Sequence, residues 1–401
     1  MYVDFDNKGK IESLRSRILF KKVEVVKDEF FGSSPPSVFV GSKLKYPNVN
    51  VGILSPPEQM ENAWLYDAQN YWSKENFGIR DILELRANLV NSRFLSSVYS
   101  SSKFLDLSRE IAMAIKPVDV EIKLAKKIKL VLDFDNLNMP MGPRAPLKKV
   151  RITENPKVHS KVEKVVSDSD LKAVDAISYL YKNEFDEQNL SKLLSIGLFG
   201  LKKNRKLVPT RWSITVVDDS IGKNLIKEIK DFKVIDNYTF YFGNFMGNYY
   251  LIMFFPEVFN YELFEMYLPG SSWNTSSKLK ISNDFEDYNG RKNYASNTVG
   301  GYYAARLSVL EFLKKIRKQA SVLVLRFETD EYWASLGVWV VRNAARKSLE
   351  TERIVFEDKE KMLEYCKDLV FKFFKFDISC ILGRSELLNI VKNQRKLKEF
   401  F

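Results

Sequence analysis

The chain has 401 residues, 45% hydrophobic and 28% charged, with 29 Phe, 19 Tyr and 6 Trp. That balance builds a sizeable core and argues against disorder over most of the length. A net charge of +12 fits a polyanionic partner, and equally a lysine-rich solvated surface. Cys366 and Cys380 are the only cysteines and His159 the only histidine, which excludes a zinc finger and a disulfide framework. Any Ser-His-Asp or Cys-His chemistry would rest on His159 alone, inside the polar run "NPKVHSKVEK", a poor setting for a triad.

In chain order, "MYVDFDNKGKIESLRSR" carries acids early and no apolar segment, so no signal peptide is expected. "IESLRSRILF" predicts a helix, and "SVFVG" and "NVNVGIL" predict short strands between Gly, Pro and Ser punctuation. Residues 77–93 give a helical apolar face through Ile79, Ile82, Leu83, Leu85 and Leu89. "VEIKLAKKIKLVLDFD" alternates like a strand or strand pair. The loop at 136–150, dense in Pro and Gly, is the expected domain boundary.

Beyond it, "SDSDLKAVDAISYLYKN" predicts a helix capped by Asp168 or Ser169, and "RWSITVVDDS" a strand running into acids. "NYTFYFGNFMGNYYLIMFFPEVF" predicts a hairpin turning near residues 243–247. Its run "YYLIMFF" is too short to span a bilayer. "GGYYAARLSVLEFLKKIRKQ" is the strongest helix, "ASVLVLRFE" a buried strand, and "YWASLGVWVVRNAARKSLE" a further helix. No internal repeat is visible. The expectation is a mixed α/β (α+β) fold of helices with short antiparallel sheets. It divides into a β-rich and helical domain over 1–145, an α/β domain over 146–391 and an exposed tail over 392–401. A soluble cytoplasmic protein with no membrane partner is expected.

Three constellations could carry chemistry. Asp133 and Asp135 lie two apart on one strand face, and Asp218 and Asp219 follow another strand. Carboxylates at strand ends hold Mg²⁺ or Mn²⁺ for phosphodiester chemistry, although Asp also ends strands and caps helices. Lys202, Lys203, Arg205, Lys206 and Arg211 form a basic segment; Lys314, Lys315, Arg317, Lys318 and Arg342, Arg346, Lys347 form two more. They suit phosphates and, with neighbouring aromatics, unpaired bases, or simply solvated helix faces. Gly300 and Gly301 open a helix beside Arg291, Tyr302, Tyr303 and Arg306, a possible phosphate pocket or a place of close packing.

The last residues, "NQRKLKEFF", place Gln394, Leu397, Phe400 and Phe401 in the pattern Q-x-x-[ILM]-x-x-[FY]-[FY]. In a 3₁₀ turn, residues three apart eclipse, so Leu397 and the phenylalanines make one apolar plug. Gln394 brings a donor and an acceptor beside it. Replication and repair proteins dock on the sliding clamp, PCNA, in this way; the alternative is a last helix packed on its own domain.

Several segments together resemble the archaeal Nre family of DNA repair proteins. They include "FVGSKLKYPNVNVGILSPP", "MPMGPRAPLKKVRITENPKV", "RKLVPTRWSITVVDDSIG", "GRKNYASNTVGGYYAARLSVLEFLKKIRKQASVLVLR" and "GVWVVRNAARKSL", in order from residue 39 onward. The family is also similar in closing with a clamp-binding motif. Many members begin with a Cys-rich zinc finger, whereas this chain has no cysteine before Cys366, so no zinc role carries over. The resemblance implies DNA repair through the clamp and a nucleoid-associated location. It supplies no catalytic residues. The leading expectation is therefore a DNA-binding repair factor tethered to PCNA. The alternatives are a Mg²⁺- or Mn²⁺-dependent nuclease or phosphohydrolase built on Asp218, Asp219, Asp133 and Asp135, and a non-catalytic clamp-bound scaffold.

Overall fold

A computed structural model describes Val23 and residues 28–42, 47–99, 101–130 and 139–393. The predicted helix "IESLRSRILF", Asp133, Asp135 and the motif residues Gln394, Leu397, Phe400 and Phe401 lie outside the described residues. The fold is mixed α/β, 40% helix and 25% strand. The described residues divide into two compact units, one of those from 23 to 221 with 334–337 and one of 222–333 with 338–393.

The first unit holds a six-stranded sheet. Its strands are β1 (Glu29–Ser34), β2 (Ser37–Val40), β3 (Asn48–Ser55), β4 (Val90–Ser97), β5 (Val118–Leu124) and β6 (Arg144–Ile152), in spatial order β1-β5-β6-β4-β3-β2. All neighbours are antiparallel except β4 and β6. The boundary expected at 145/146 falls inside β6. Residues 144–152 pair with both β4 and β5 in the middle of the sheet, and the division falls at 221/222. The Pro and Gly of that region shape the entry into a strand rather than a linker. Gly142 is packed so closely that a Cβ would lie 1.8 Å from the Leu89 carbonyl oxygen.

Helices α1 (Gln69–Lys74), α2 (Ile79–Ala87) and α3 (Lys103–Met113) belong to this unit, followed by α4 (Ser160–Ser167), α5 (Ala173–Lys182) and α6 (Glu187–Ser195). The helix expected over 77–93 stops at Ala87, because the apolar run from Leu89 becomes β4, paired with β3 along eight residues. Asp168 does not cap α5. Its Oδ1 accepts the N–H groups of Asp170 and Leu171 in a turn of its own, and α5 starts after Lys172. The single histidine is structural: His159 Nδ1 accepts the Lys161 N–H at the start of α4 at 3.1 Å, and its ring packs edge-on to Phe185.

The stretch expected as the strand "RWSITVVDDS" is instead the opening of α7 (Thr210–Ile229). Ile214, Thr215, Val216 and Val217 are strand formers, but the longer window decides. Ser213, Val217, Ile221, Leu225 and Ile229 are each at most 3% exposed, one stripe at helical spacing. Tertiary burial overrides local propensity here.

The second unit is built on β7 (Tyr238–Phe245), β8 (Asn248–Phe255), β9 (Tyr261–Tyr267), β10 (Lys280–Glu286), β11 (Ser321–Glu328) and β12 (Ile354–Phe356). Their spatial order is β10-β9-β11-β8-β7-β12, with β9 and β11 parallel and the other neighbours antiparallel. Each sheet therefore carries one parallel pair, where antiparallel sheets were expected. The β7–β8 hairpin turns at Met246 and Gly247, with φ of 53° and 72°, as a two-residue turn matched to strand twist requires. All eight residues of β11 are buried, which places it at the centre.

Helices α8 (Val299–Ile316) and α9 (Val338–Leu349) pack together against one face of this sheet. Gly243 of β7 permits the approach, since a Cβ there would lie 2.7 Å from the Ser348 Cα. Helices α10 (Lys359–Phe374), α11 (Ser379–Leu382) and α12 (Glu386–Asn393) cover the other face. There Met362, Cys366, Val370, Leu387 and Val391 meet Leu251, Met253, Phe264, Leu323 and Leu325 in one core cluster. No helix among the described residues is long and apolar enough to cross a membrane.

Candidate functional site

The face of the second sheet under α8 and α9 carries charge in its interior. In register, Tyr250 of β8 lies beside Arg326 of β11, which lies beside Glu265 of β9. Arg326 Nη1 donates to Glu265 Oε1 at 2.5 Å, Nη2 to Glu328 Oε2 at 2.8 Å, and Nε and Nη2 to Asn248 Oδ1 at 3.0 and 2.6 Å. Glu328 also accepts from Ser272 Oγ and the Trp273 N–H, and the Tyr267 hydroxyl donates to Glu265 Oε2 at 2.6 Å. Burial pushes the Glu328 carboxyl above its ordinary range against the pull of Arg326, and raises the Tyr250 phenol.

A second cluster joins this row at the start of α8, where the sequence led us to expect a phosphate pocket. The structure brings Arg291, Tyr302, Tyr303 and Arg306 together: both guanidinium groups lie over the Tyr302 ring, at 5.3 and 5.4 Å. The anion there is the protein's own. Asp284 Oδ2 accepts the N–H groups of Asn297 and Thr298 and the Thr298 hydroxyl, and Arg291 pairs with Asp284 at 3.0 Å. Arg291 also donates to the carbonyls of Phe285, Asn293 and Tyr294. Arg306, 1% exposed, pairs with Glu286 at 2.9 Å. Gly301 faces Glu265, whose Oε1 would lie 2.5 Å from a Cβ. Gly301 thus allows close packing against Glu265, Gly300 beside it is buried, and Asp284 and Glu286 are the anions that meet Arg291 and Arg306.

Together Arg291, Arg306 and Arg326 face Asp284, Glu265, Glu286 and Glu328, three positive charges against four negative. These charges pair inside the unit, although Glu286 Oε1 is buried without a hydrogen bond, and the cluster packs α8 on the sheet. Asp284 and Glu286 of "SNDFEDYNG" were passed over in the sequence, although their i, i+2 spacing ahead of a basic, aromatic helix start was the available signal.

Residues 200–212 form the exposed basic segment of the first unit. Arg205 does not project from it. Its Nε, Nη1 and Nη2 donate to the carbonyls of Gly200, Val166 and Asp168 at 2.8, 2.7 and 2.6 Å, tying the segment to the C-terminal end of α4. Burial lowers its pKa, partly offset by Asp168, and nearby Arg109 lowers it further. On the turn so fixed, Lys202, Lys203 and Lys206 are exposed and Arg211 is half-buried. The Leu207 N–H donates to the Val98 carbonyl, setting Tyr99 beside the turn. Tyr99 is 64% exposed, and Trp212, early in α7, is 46% exposed. This is a surface of cations interleaved with accessible aromatic rings.

Asp218 and Asp219 sit on α7 as successive helical residues, Asp218 buried and Asp219 half-buried. They are not side by side at a strand end, and adjacent helical positions project about 100° apart. Among the described residues, no group of three or more His, Cys, Asp or Glu side chains is placed to hold a metal ion. The other basic segments are largely engaged. Lys314 pairs with Glu228 and Lys318 with Asp236, Arg342 is buried, and Arg346 grips Glu311 with two bonds of 2.9 Å. Lys347 lies over the Phe245 ring. A further set of cations on β5 and β6 was overlooked; the lysine pairs of "LAKKIKL" and "PLKKVRI" were the signal.

Two family models match the chain, described as "Archaeal Nre, N-terminal" over residues 11–274 and "Archaeal Nre, C-terminal" over residues 286–400. DNA repair protein NreA of Haloferax volcanii is 39% identical over 333 residues, 81% of this chain and 79% of its own length. NreA of Archaeoglobus fulgidus is 38% identical over 369 residues, covering 89% of this chain and 90% of its own. NreB of the same organism is 36% identical over 376 residues, covering 94% and 93%. No solved structure matches.

Proposed function

Because this chain belongs to the archaeal Nre family, whose matched relatives are named DNA repair proteins, we propose that it acts in DNA repair by binding DNA while docked on the sliding clamp. DNA is held by the basic surface of Lys202, Lys203, Lys206 and Arg211, with Tyr99 and Trp212 as contacts for bases. Gln394, Leu397, Phe400 and Phe401 form the plug that enters the clamp. The net charge of +12 supplies long-range attraction to the phosphate backbone.

The observation that carries the DNA reading is the division of labour in residues 200–212. Arg205 is spent on three carbonyls, so the turn is held rigidly while its lysines stay in solvent. The clamp reading is supported by the position of the motif. In sequence it follows immediately on α12, whose Leu387 and Val391 are anchored in the core cluster, and a short apolar motif suits this mode of recognition.

Binding of a fluorescent oligonucleotide across a salt series tests the DNA reading. Affinity should fall steeply with salt, and Lys202→Glu/Lys203→Glu/Lys206→Glu should weaken binding at least about tenfold while reducing the slope by up to about 2–3, one increment of roughly 0.7–0.9 per neutralised phosphate. Affinity indifferent to both salt and substitution would refute it.

A further inference from the structure

The sheet of the first unit has a face that is exposed along β1, β5 and β6, and this face is built around a bulge. β5 and β6 pair with Lys123 opposite Lys149 and Leu124 opposite Leu147, so Lys148 is an extra residue in β6. A regular strand would turn one of the two lysines toward the core. Here both Lys148 and Lys149 are exposed, the re-aiming that a bulge produces. Beyond β5 the Ala125 N–H donates to the Pro146 carbonyl at 2.8 Å. That keeps the exposed Lys126 and Lys127 alongside β6.

Arg144 and Arg151, exposed on β6, extend the cationic strip. Lys123 pairs with Glu29, but Lys126, Lys127, Lys148 and Lys149 make no ion pair among the described residues. Lys123 and Lys149 are directly opposed, with Glu29 within electrostatic reach of both; the cations beyond them leave an excess of positive charge that attracts an anionic partner.

Two apolar side chains share this face. Phe31 of β1, 39% exposed, lies opposite Glu121 of β5, which lies opposite Arg151. Leu95 of β4, 64% exposed, continues the alternation of Arg93, which is paired with Pro146 of β6. Phe31 and Leu95 flank the cationic strip across three strand spacings, about 14 Å. Phosphates on the strip would bring unpaired bases onto the Phe31 ring, as on other stacking platforms, with Leu95 giving apolar contact at the far edge. A duplex offers mainly its phosphates to such a face and would leave both apolar groups unused.

We propose that the β1–β5–β6–β4 face is a binding site for single-stranded DNA, its backbone on Lys126, Lys127, Lys148 and Lys149 and its bases on Phe31 and Leu95. The site rests on the DNA-binding reading above and adds to it a strand preference and a second surface, separate in sequence from residues 200–212. It also gives the bulge a purpose: removing the extra residue would turn a lysine inward.

The test uses the full chain, fluorescence anisotropy, and two probes, a labelled oligothymidylate and a duplex of equal length. Lys126→Glu/Lys127→Glu/Lys148→Glu/Lys149→Glu should weaken oligothymidylate binding more than about tenfold and lower the salt slope by roughly 0.7 for each phosphate no longer neutralised. Phe31→Ala/Leu95→Ala should weaken it about tenfold, the scale of one stacked base, with duplex binding unchanged. The milder Lys→Gln set at the same four positions guards against misfolding, checked by circular dichroism. If the wild-type protein binds DNA but neither variant changes oligothymidylate affinity, the site is refuted and the DNA reading stands. If duplex is preferred and Phe31→Ala/Leu95→Ala has no effect, the single-strand assignment is refuted. If the wild-type protein binds neither probe at low salt, both the reading and this site fall.

Discussion

Arg326 shows what a charge is for when it is buried. It is 4% exposed, between Glu265 and Glu328, with Asn248 taking two more of its donors. Removing it strands two carboxylates and an amide in the interior of the sheet. Breaking a buried pair from one side costs roughly 3–5 kcal/mol, so Arg326→Leu should lower unfolding free energy by about that amount in urea titrations. A loss below about 1 kcal/mol would show that the network is not under tension from burial. The same logic separates residue types that look alike in sequence. Arg205, Arg291 and Arg306 carry the same charge as Lys202 and Lys203, but their guanidinium groups are engaged by carbonyls and acids. Which arginine is spent in this way depends on long-range partners such as Val166 for Arg205 and Glu286 for Arg306, invisible to local reading.

At the scale of elements, α12 is held by a side chain from the sheet beneath it. Glu262 of β9 accepts the Ser385 hydroxyl and the N–H groups of Glu386 and Leu387, an acid at a helix N-terminus. Burial pushes its carboxyl above the ordinary range, while those hydrogen bonds pull it down. The native state therefore holds this proton more tightly than the unfolded chain. Its contribution is fully present below the ordinary carboxylate value of about 4.3 and is lost as pH rises through the raised one. The stability of the wild type relative to Glu262→Gln, followed by urea unfolding over a pH series, should decline as pH rises from about 4 and then level off. A difference constant with pH would contradict the assignment.

Elements also show what could be read in advance. β2, β3, the β7–β8 hairpin, α8, β11 and α9 were legible because period, turn chemistry and length agree. α7 was not, since four consecutive strand formers disguise a helix whose buried stripe needs twenty residues to show. β6 was missed because Pro and Gly in a strand approach resemble a linker. At the candidate site, the convergence of Arg291, Tyr302, Tyr303 and Arg306 was readable, while Asp284 and Glu286 were not, because their strand pairing with β9 is what carries them to the helix start.

The whole molecule is less divisible than its two family segments suggest. β7, β8 and β9 fall within residues 11–274, and β11 and β12 within 286–400, yet all five share one sheet with β10. The parallel pair β9–β11 joins the two segments, so they are matched stretches of sequence and not separate folding units. In the proposed function, the basic surfaces of the first unit would contact DNA and the C-terminal motif would provide location. Calorimetric titration of the host's sliding clamp with the full chain and with a chain truncated after Glu399, each also melted alone, tests that central claim most directly. Truncation should abolish clamp binding and leave the melting temperature unchanged. Clamp binding that survives truncation, or a melting temperature that falls by several degrees, would contradict it.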